Sequence, residues 1–513
     1  MSTEAHISEK TGLPAGAAVE HDSEKGHPEF NEPPTGWLYR ERKLGPITLP
    51  YYASPISQLL IVAFVCFLCP GMFNALSGLG GAGQLDPTVA DDSTVALYAT
   101  FASVAFFSGS ICNKIGVKAT LSFGGFGYAL YSASFLCYNH TGNRGFVIFA
   151  GALLGVCAGL LWCAQGTIMM SYPPEKSKGR YISIFWMIFN LGAVIGSLVS
   201  INRSITDWQG TDMRYKVPLI DNIDNKHGNV GDGTYIGFLV LMGGGAILAL
   251  FLLDSNKIIR KDGSKVISVQ HPSWKSELLG LWEVLISEPW ILALFPMFFS
   301  SNYFYSYQFN AYNLARFTTR TRPLNSLLYW LSQIIGAGIM GFALDTQRLT
   351  RITRARVGFA FVFILTLGIW GGGYAFQRQY NRETAEIIPK IDWHDSGYGG
   401  PLFLYMCYGL YDAIWQTYVY WVMGALSNNS RKLAIYAGFY KGIQSAGSAI
   451  TFRLDSLKVP YIRMFGSTWG LLLGSLVVAA PVIFLRIQEH ISAEEDLKFS
   501  DETQSVEKFE QKD

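Results

Sequence analysis

A lone carboxylate, Asp412, stands in the middle of the apolar run 400–426, GPLFLYMCYGLYDAIWQTYVYWVMGAL. At the centre of a membrane helix such a group costs roughly 2.5–3.5 kcal/mol on insertion scales, so it must face a cavity, find a partner or take up a proton. Its chemistry would be that of a proton- or cation-coupling site or a ligand contact; the plainer alternative is a polar knot between helices. Helical spacing puts Tyr408, Tyr411, Asp412, Trp415 and Tyr418 on one face, with Gln416 one turn beyond the acid. Aromatic rings around one carboxylate suit a cation or a hydroxylated organic solute. Tyrosines buried in helix packing are the alternative. Lys441, in the following run, is the candidate counter-ion. By helix rise it sits about 12 Å from the cytoplasmic end, against about 20 Å for Asp412, a gap that a lysine stem spans in large part. The same stem can instead snorkel to the interface.

These residues need elements to hold them. A hydrocarbon core of roughly 30 Å takes about 20 apolar residues as a helix. Twelve runs qualify: 56–80, 94–113, 117–137, 145–171, 181–201, 235–253, 289–310, 323–344, 355–376, 400–426, 432–452 and 465–487. The seventh is the least regular, crowded with Tyr, Asn and Ser. Half of the residues are hydrophobic, 15% are charged and 53 are glycine, which argues for membrane helices over several soluble domains. Further polar side chains fall inside the runs: Asn74 in span 1, Trp162 and Gln165 in span 4, and Asn302, Tyr305 and Gln308 in span 7. All seven cysteines lie in or beside apolar runs, as small buried hydrophobes rather than a disulfide framework.

Lys and Arg in short loops set orientation. Loop 81–93 has none, whereas Lys114 and Lys118, then Lys176, Lys178 and Arg180, then Arg348, Arg351, Arg354 and Arg356 mark the alternate loops. Both termini are therefore expected in the cytoplasm. Arg316, Arg320, Arg322, Arg378 and Arg382 fall against this trend on the outside. Glycosylation sequons at Asn139 and Asn202 also fall outside. The expected organisation is a disordered cytoplasmic tail (1–50), a six-helix half (51–253), a cytoplasmic linker (254–288), a second six-helix half (289–487) and a cytoplasmic tail (488–513). Within the linker, Trp274, Leu278, Leu281, Trp282, Leu285 and Ile286 read as one apolar face, of a helix on the membrane surface or of an ordinary linker helix.

The two halves echo each other. Pro70 pairs with Pro296, Gly109–Asn113 with Gly341–Asp345, Gly159 with Gly409, and Asn190 with Gln444, at separations rising from 226 to 254. Such order points to a parallel duplication. The strip Gly109-x-x-x-Asn113-Lys114-x-Gly116-x-Lys118 resembles the loop signature of the major facilitator superfamily, G-x-x-x-D-[RK]-x-G-x-[RK], with Asn113 in place of the acid. The second copy keeps the acid as Asp345 and has Arg348 nearby. Segments 51–83 and 178–198 are similar to the Unc-ninety-three-like branch of that superfamily in its fungal form.

This resemblance implies an all-α membrane protein of twelve transmembrane helices in two six-helix parallel-repeat halves, the major facilitator fold. It implies that spans 1, 4, 7 and 10 line a central cavity, and that the loop acid locks a gate at a helix terminus. With that fold and Asp412, the function expected is a carrier moving a small solute by alternating access, with a proton or cation as the coupling ion that the acid suits. The alternative is a non-transporting regulator or trafficking partner of an ion channel or another membrane protein. The bilayer is the expected surrounding, in the plasma membrane or an internal membrane such as the vacuole. No metal-ligand spacing, nucleophile–base set, phosphate loop or basic nucleic-acid stripe stands out, so no enzyme activity, cofactor or nucleic-acid partner is expected.

Overall fold

The structure, a computed structural model, describes residues 36–45, 47–78, 87–198, 232–260, 266, 274–318 and 321–491. Helix α1 (Pro55–Cys66) starts where Ser54 Oγ accepts the Ser57 N–H and Pro55 supplies a preset φ. A π turn, Phe67–Gly71, holds Pro70, which has no N–H to donate, and leads into α2 (Met72–Gly78). α3 (Pro87–Ile115) ends at Gly116, whose φ of 86° lets the chain reverse into α4 (Val117–Thr141). Asn143 Oδ1 accepts the Phe146 N–H and starts α5 (Arg144–Ser171), which is followed by α6 (Lys178–Leu198) and α7 (Asp232–Leu248).

The second half continues with α8 (Trp274–Ser287), α9 (Phe295–Ser300), a π turn Tyr307–Leu314, and α10 (Thr321–Leu344). Then come α11 (Arg351–Gln377), the short α12 (Thr384–Ile387), α13 (Gly399–Leu426), α14 (Ser430–Ser456) and α15 (Tyr461–Leu485). Among the described residues seven helices are long and apolar enough to cross a membrane, or eight if one pair bent by 86° is a single span. α4, α13 and α14 have 25, 28 and 27 residues. The last two carry many of the buried polar groups described below, which lowers their hydropathy without shortening them. The expected seventh span is broken into a 3-10 segment (Pro289–Leu294), the short α9 and the π turn, and within it Pro296 lacks the backbone donor of a continuous helix.

The packing repeats with an offset of six spans. α3 lies against α5, and α10 against α13; α4 lies against α7, and α11 against α15. The halves meet where α3 crosses α14 and where α6 crosses α10. Both crossings are close because of the motif glycines. A Cβ on Gly109 would lie 2.8 Å from Ala434 O, and one on Gly341 would lie 2.8 Å from Gly179 O.

Two expectations need correction. The tail expected over 1–50 is ordered from residue 36: a 3-10 turn (Trp37–Tyr39) precedes an antiparallel hairpin of β1 (Arg42–Leu44) and β2 (Ile47–Leu49). Tyr39 Oη donates to Lys257 O at 3.1 Å and Tyr51 Oη to Ile259 O at 2.7 Å, tying the segment to the linker. Residues 1–35 lie outside the described residues. The linker helix α8 does form, but the apolar side chains described on it, from Leu279 onward, divide between two faces. Leu281 and Val284 are buried, while Leu279, Trp282 and Ile286 are exposed.

Candidate functional site

Asp412 is fully buried in α13. Its Oδ2 accepts from Tyr305 Oη (2.8 Å), Gln333 Nε2 (2.8 Å) and Tyr329 Oη (3.2 Å), and its Oδ1 from Gln416 Nε2 (2.8 Å). Four neutral donors thus replace the water that an ionised carboxylate would otherwise lose. The donors come from the segment after α9, from α10 and from α13 itself. The Tyr329 hydroxyl also lies 2.9 Å from Gln308 Oε1, and one proton serves one acceptor at a time. Gln308 Nε2 is buried without a partner in this orientation. The opposite amide orientation, with Nε2 donating to Tyr329, frees that hydroxyl for Asp412.

Lys441 on α14 is not ion-paired with Asp412, because its stem turns toward α5. Its Nζ donates to Gln444 Oε1 at 2.8 Å and lies 4.4 Å from the Trp162 ring centroid and 5.0 Å from that of Tyr440. Gln444 Nε2 donates to Gln416 Oε1 at 3.2 Å and to Asn302 Oδ1 at 2.9 Å. Lys441, Gln444, Gln416 and Asp412 therefore form one hydrogen-bonded chain, with two amides between a buried cation and a buried carboxylate. Trp162 stacks on Trp186 of α6 at 6.3 Å, and Tyr420 Oη lies 3.4 Å from Gln165 Oε1. The lysine end of the chain thus sits where the halves meet.

Tyr408, Tyr411 and Trp415 do not join this cluster. Tyr411 Oη pairs with Thr366 Oγ1 at 2.9 Å, Trp415 Nε1 donates to Ser301 Oγ at 2.9 Å, and Tyr408 packs on Trp370 at 5.1 Å. At 100° per residue, Asp412 and Gln416 lie on one edge of the aromatic face and Tyr411 and Tyr418 on the other, so a single stripe serves two neighbours. Asn74 is half-buried on α2 and makes no hydrogen bond among the described residues. Sequence reasoning missed Tyr329, Gln333 and Tyr440 as site residues and read Gln444 only as an echo of Asn190. The i, i+4 spacing of Tyr329 and Gln333 within an apolar run was the available signal.

The motif residues act at the end that carries the short basic loops. Asp345 accepts the N–H groups of Gly179 (2.8 Å) and Arg180 (2.5 Å) at the start of α6. Burial pushes its carboxyl up to about 6 despite those two donors and the nearby Arg354 and Arg180. Lys178 Nζ donates to Gly424 O (2.6 Å), Ser427 O (3.2 Å) and Asn428 Oδ1 (2.9 Å), and Arg351 Nη2 to Ala425 O (3.0 Å), all at the end of α13. The repeat-related start of α14 is capped locally: Asn429 Oδ1 accepts from Arg431 N (2.9 Å) and Lys432 N (3.2 Å). Asn113, Lys114 and Lys118 are half-buried, and Arg348 is exposed. Asn139 donates to Asp232 at 3.1 Å, and Asn202 lies outside the described residues. No cluster of three metal-ligating side chains occurs among the described residues.

Residues 17–211 match the family profile described as Major Facilitator Superfamily. The chain is 52% identical over 469 residues to an UNC93-like protein of Schizosaccharomyces pombe, with 90% of each chain covered. It is 39% identical over 450 residues to UNC93-like protein 1 of Arabidopsis thaliana, covering 87% of this chain and 92% of the relative. The solved structure of the proton:xylose symporter XylE, bound to 6-bromo-6-deoxy-D-glucose, has a similar fold, with a TM-score of 0.59 at 12% identity over 89% of this chain and 100% of that one. The loop motif, the six-span repeat in packing and these near-full-length matches converge: the chain is an integral, multi-pass membrane protein and belongs to the UNC93-like branch, fungal type, of the major facilitator superfamily.

Proposed function

We propose that this protein is a carrier that moves a small solute by alternating access, with 51–253 and 289–487 as the halves that rock and Asp412 as the coupling or ligand residue. The observation that carries this reading is the Lys441–Gln444–Gln416–Asp412 chain. All four donors to Asp412 belong to the second half, whereas the Lys441 contact with Trp162 crosses between halves. Rocking would lift the ammonium from the ring and alter the hydrogen bonds that reach the acid. Trp186 Nε1 and both amide atoms of Asn190 are buried on α6 without partners, which suits a hydroxylated solute or a cation carrying polar groups. The ties of Lys178 and Asp345 between the halves would be the closed gate on the cytoplasmic side.

The test is solute flux in proteoliposomes, screened broadly, with Asp412→Asn as the contrast. Flux that loses its proton or cation dependence in Asp412→Asn supports the reading; protein-independent flux throughout the screen overturns it. One feature favours a second reading as a non-transporting partner of a channel or other membrane protein. Asn113 stands where the motif has an acid, and α14 is capped by its own Asn429. A stoichiometric membrane-protein partner, without flux, would support that reading.

A further inference from the structure

Five arginines run against the charge bias of the chain, and the structure divides those it describes, which lie at the end opposite the basic loops. Arg382 pairs with Asp455, which also accepts from Asn310 Nδ2 at 2.7 Å, and its guanidinium lies 4.2 Å from the Tyr461 ring. Arg316 is different. It is 92% buried, its guanidinium lies 5.2 Å from the Tyr380 ring, and its Nη1 has no hydrogen-bond partner among the described residues.

The neighbourhood adds positive charge. The loop after α12 zips onto the segment that follows the π turn: Ile391 N donates to Arg316 O at 2.7 Å and Thr318 N to Ile391 O at 3.0 Å. This brings Lys390 beside Arg316, with its Nζ 3.2 Å from Leu314 O. Partial burial, then the guanidinium groups of Arg322 and Arg316, push the Lys390 ammonium below its ordinary range. The adjacent carboxylate, Asp392, accepts from Thr318 Oγ1 (2.8 Å), Thr321 Oγ1 (3.4 Å) and His394 N (3.2 Å). Exposed Leu314 and Ile387 flank the cluster, so it borders an apolar rim.

We propose that Arg316, Lys390 and Arg322 form a phosphate-binding site at the end of the second half opposite the basic loops, distinct from the Asp412 chain. Three neighbouring cations, one of them a buried guanidinium with an unused N–H, match a dianionic, multi-acceptor group. A buried donor left unpaired is costly, and a phosphate oxygen would relieve both that cost and the mutual repulsion of the cations. A lipid headgroup and a free phosphate share this chemistry, and the apolar rim is compatible with the former.

The experiment uses full-length protein. One arm measures the thermal midpoint in neutral detergent with inorganic phosphate against chloride at matched ionic strength. The other arm compares nanodiscs of phosphatidylcholine alone with nanodiscs containing phosphatidic acid. The expected result is phosphate- or phosphatidic acid-dependent stabilisation, with apparent affinity weakened at least about tenfold in Arg316→Gln and in Lys390→Gln. Lys390 is an exposed loop residue, so Lys390→Gln remains informative if Arg316→Gln fails to fold. A response to free phosphate assigns a soluble ligand, and a response to phosphatidic acid alone assigns a lipid. No stabilisation in either arm, or stabilisation unchanged in Lys390→Gln, overturns the site. Flux through the Asp412 pathway is a separate readout, so neither result depends on the other.

Discussion

Replacing Gln416 with leucine tests whether the Lys441–Asp412 chain is an energetic unit. Leucine is close in volume, so the change removes hydrogen bonds with little cavity. Asp412 Oδ1 loses its donor at 2.8 Å, while Gln444 Nε2 keeps Asn302 Oδ1 at 2.9 Å. The cost falls chiefly on that buried acceptor, with a weaker share from the Tyr440 hydroxyl, which loses Gln416 Oε1 at 3.4 Å, and should be about 2 kcal/mol, or about thirtyfold in the folded-to-unfolded ratio. Asp412→Asn removes the charge but keeps an acceptor, so Gln416→Leu should cost less in that background. The double-mutant cycle should return an interaction energy of about 1–2 kcal/mol. Tryptophan fluorescence during reversible SDS unfolding in mixed micelles measures each corner. If the two losses add to within about 0.5 kcal/mol, the carboxylate does not depend on that amide and the reasoning fails.

Asp345 gives a pH dependence with a definite sign. Its carboxyl is held at about 6 when closed and returns toward its ordinary 3.8 when solvated, so the closed arrangement binds the proton better between those values. Acidification through pH 6 should favour closure, by up to about 3 kcal/mol once pH falls below the solvated value. Fluorophore distances between loops 172–178 and 345–350 should shorten on acidification in the native protein, and Asp345→Asn should abolish the response. Asp345→Ala leaves the Gly179 and Arg180 N–H groups without their acceptor and should lengthen the distance at every pH. Gly341→Leu drives a side chain into Gly179 O, which a Cβ would already meet at 2.8 Å. It should destabilise the protein by about 1–3 kcal/mol, read as a lower thermal midpoint, and open the same loops.

Asp412 was legible because a charge in an apolar run stands out against its own segment. Its partners were not, because Tyr329 and Gln333 become donors only when α10 packs on α13. Lys441 stood out as a candidate counter-ion or a snorkelling lysine, yet its direction depends on Trp162, a residue about 280 positions away in the chain. The motif glycines were legible as members of the loop signature and its echo; that Gly109 and Gly341 sit at the two crossings between halves emerges only from the packing. The break in the seventh span was foreshadowed by its Tyr, Asn and Ser content, but composition does not say where a π turn falls.

The two glutamines give the chain a polarity. In this state each amide turns its oxygen toward Lys441 and its nitrogen toward Asp412. A proton placed on Asp412 Oδ1 would make that atom a donor, so Gln416 would have to rotate and present its oxygen there. Its nitrogen would then face Gln444, which would have to rotate in turn, and an N–H would meet the ammonium head-on. An Oδ1 proton and the Lys441–Gln444 hydrogen bond therefore exclude each other. Protonation of Asp412 Oδ1 would thus turn the pair of amides into a toggle, carrying the occupancy of one charge to another helix without moving either ion.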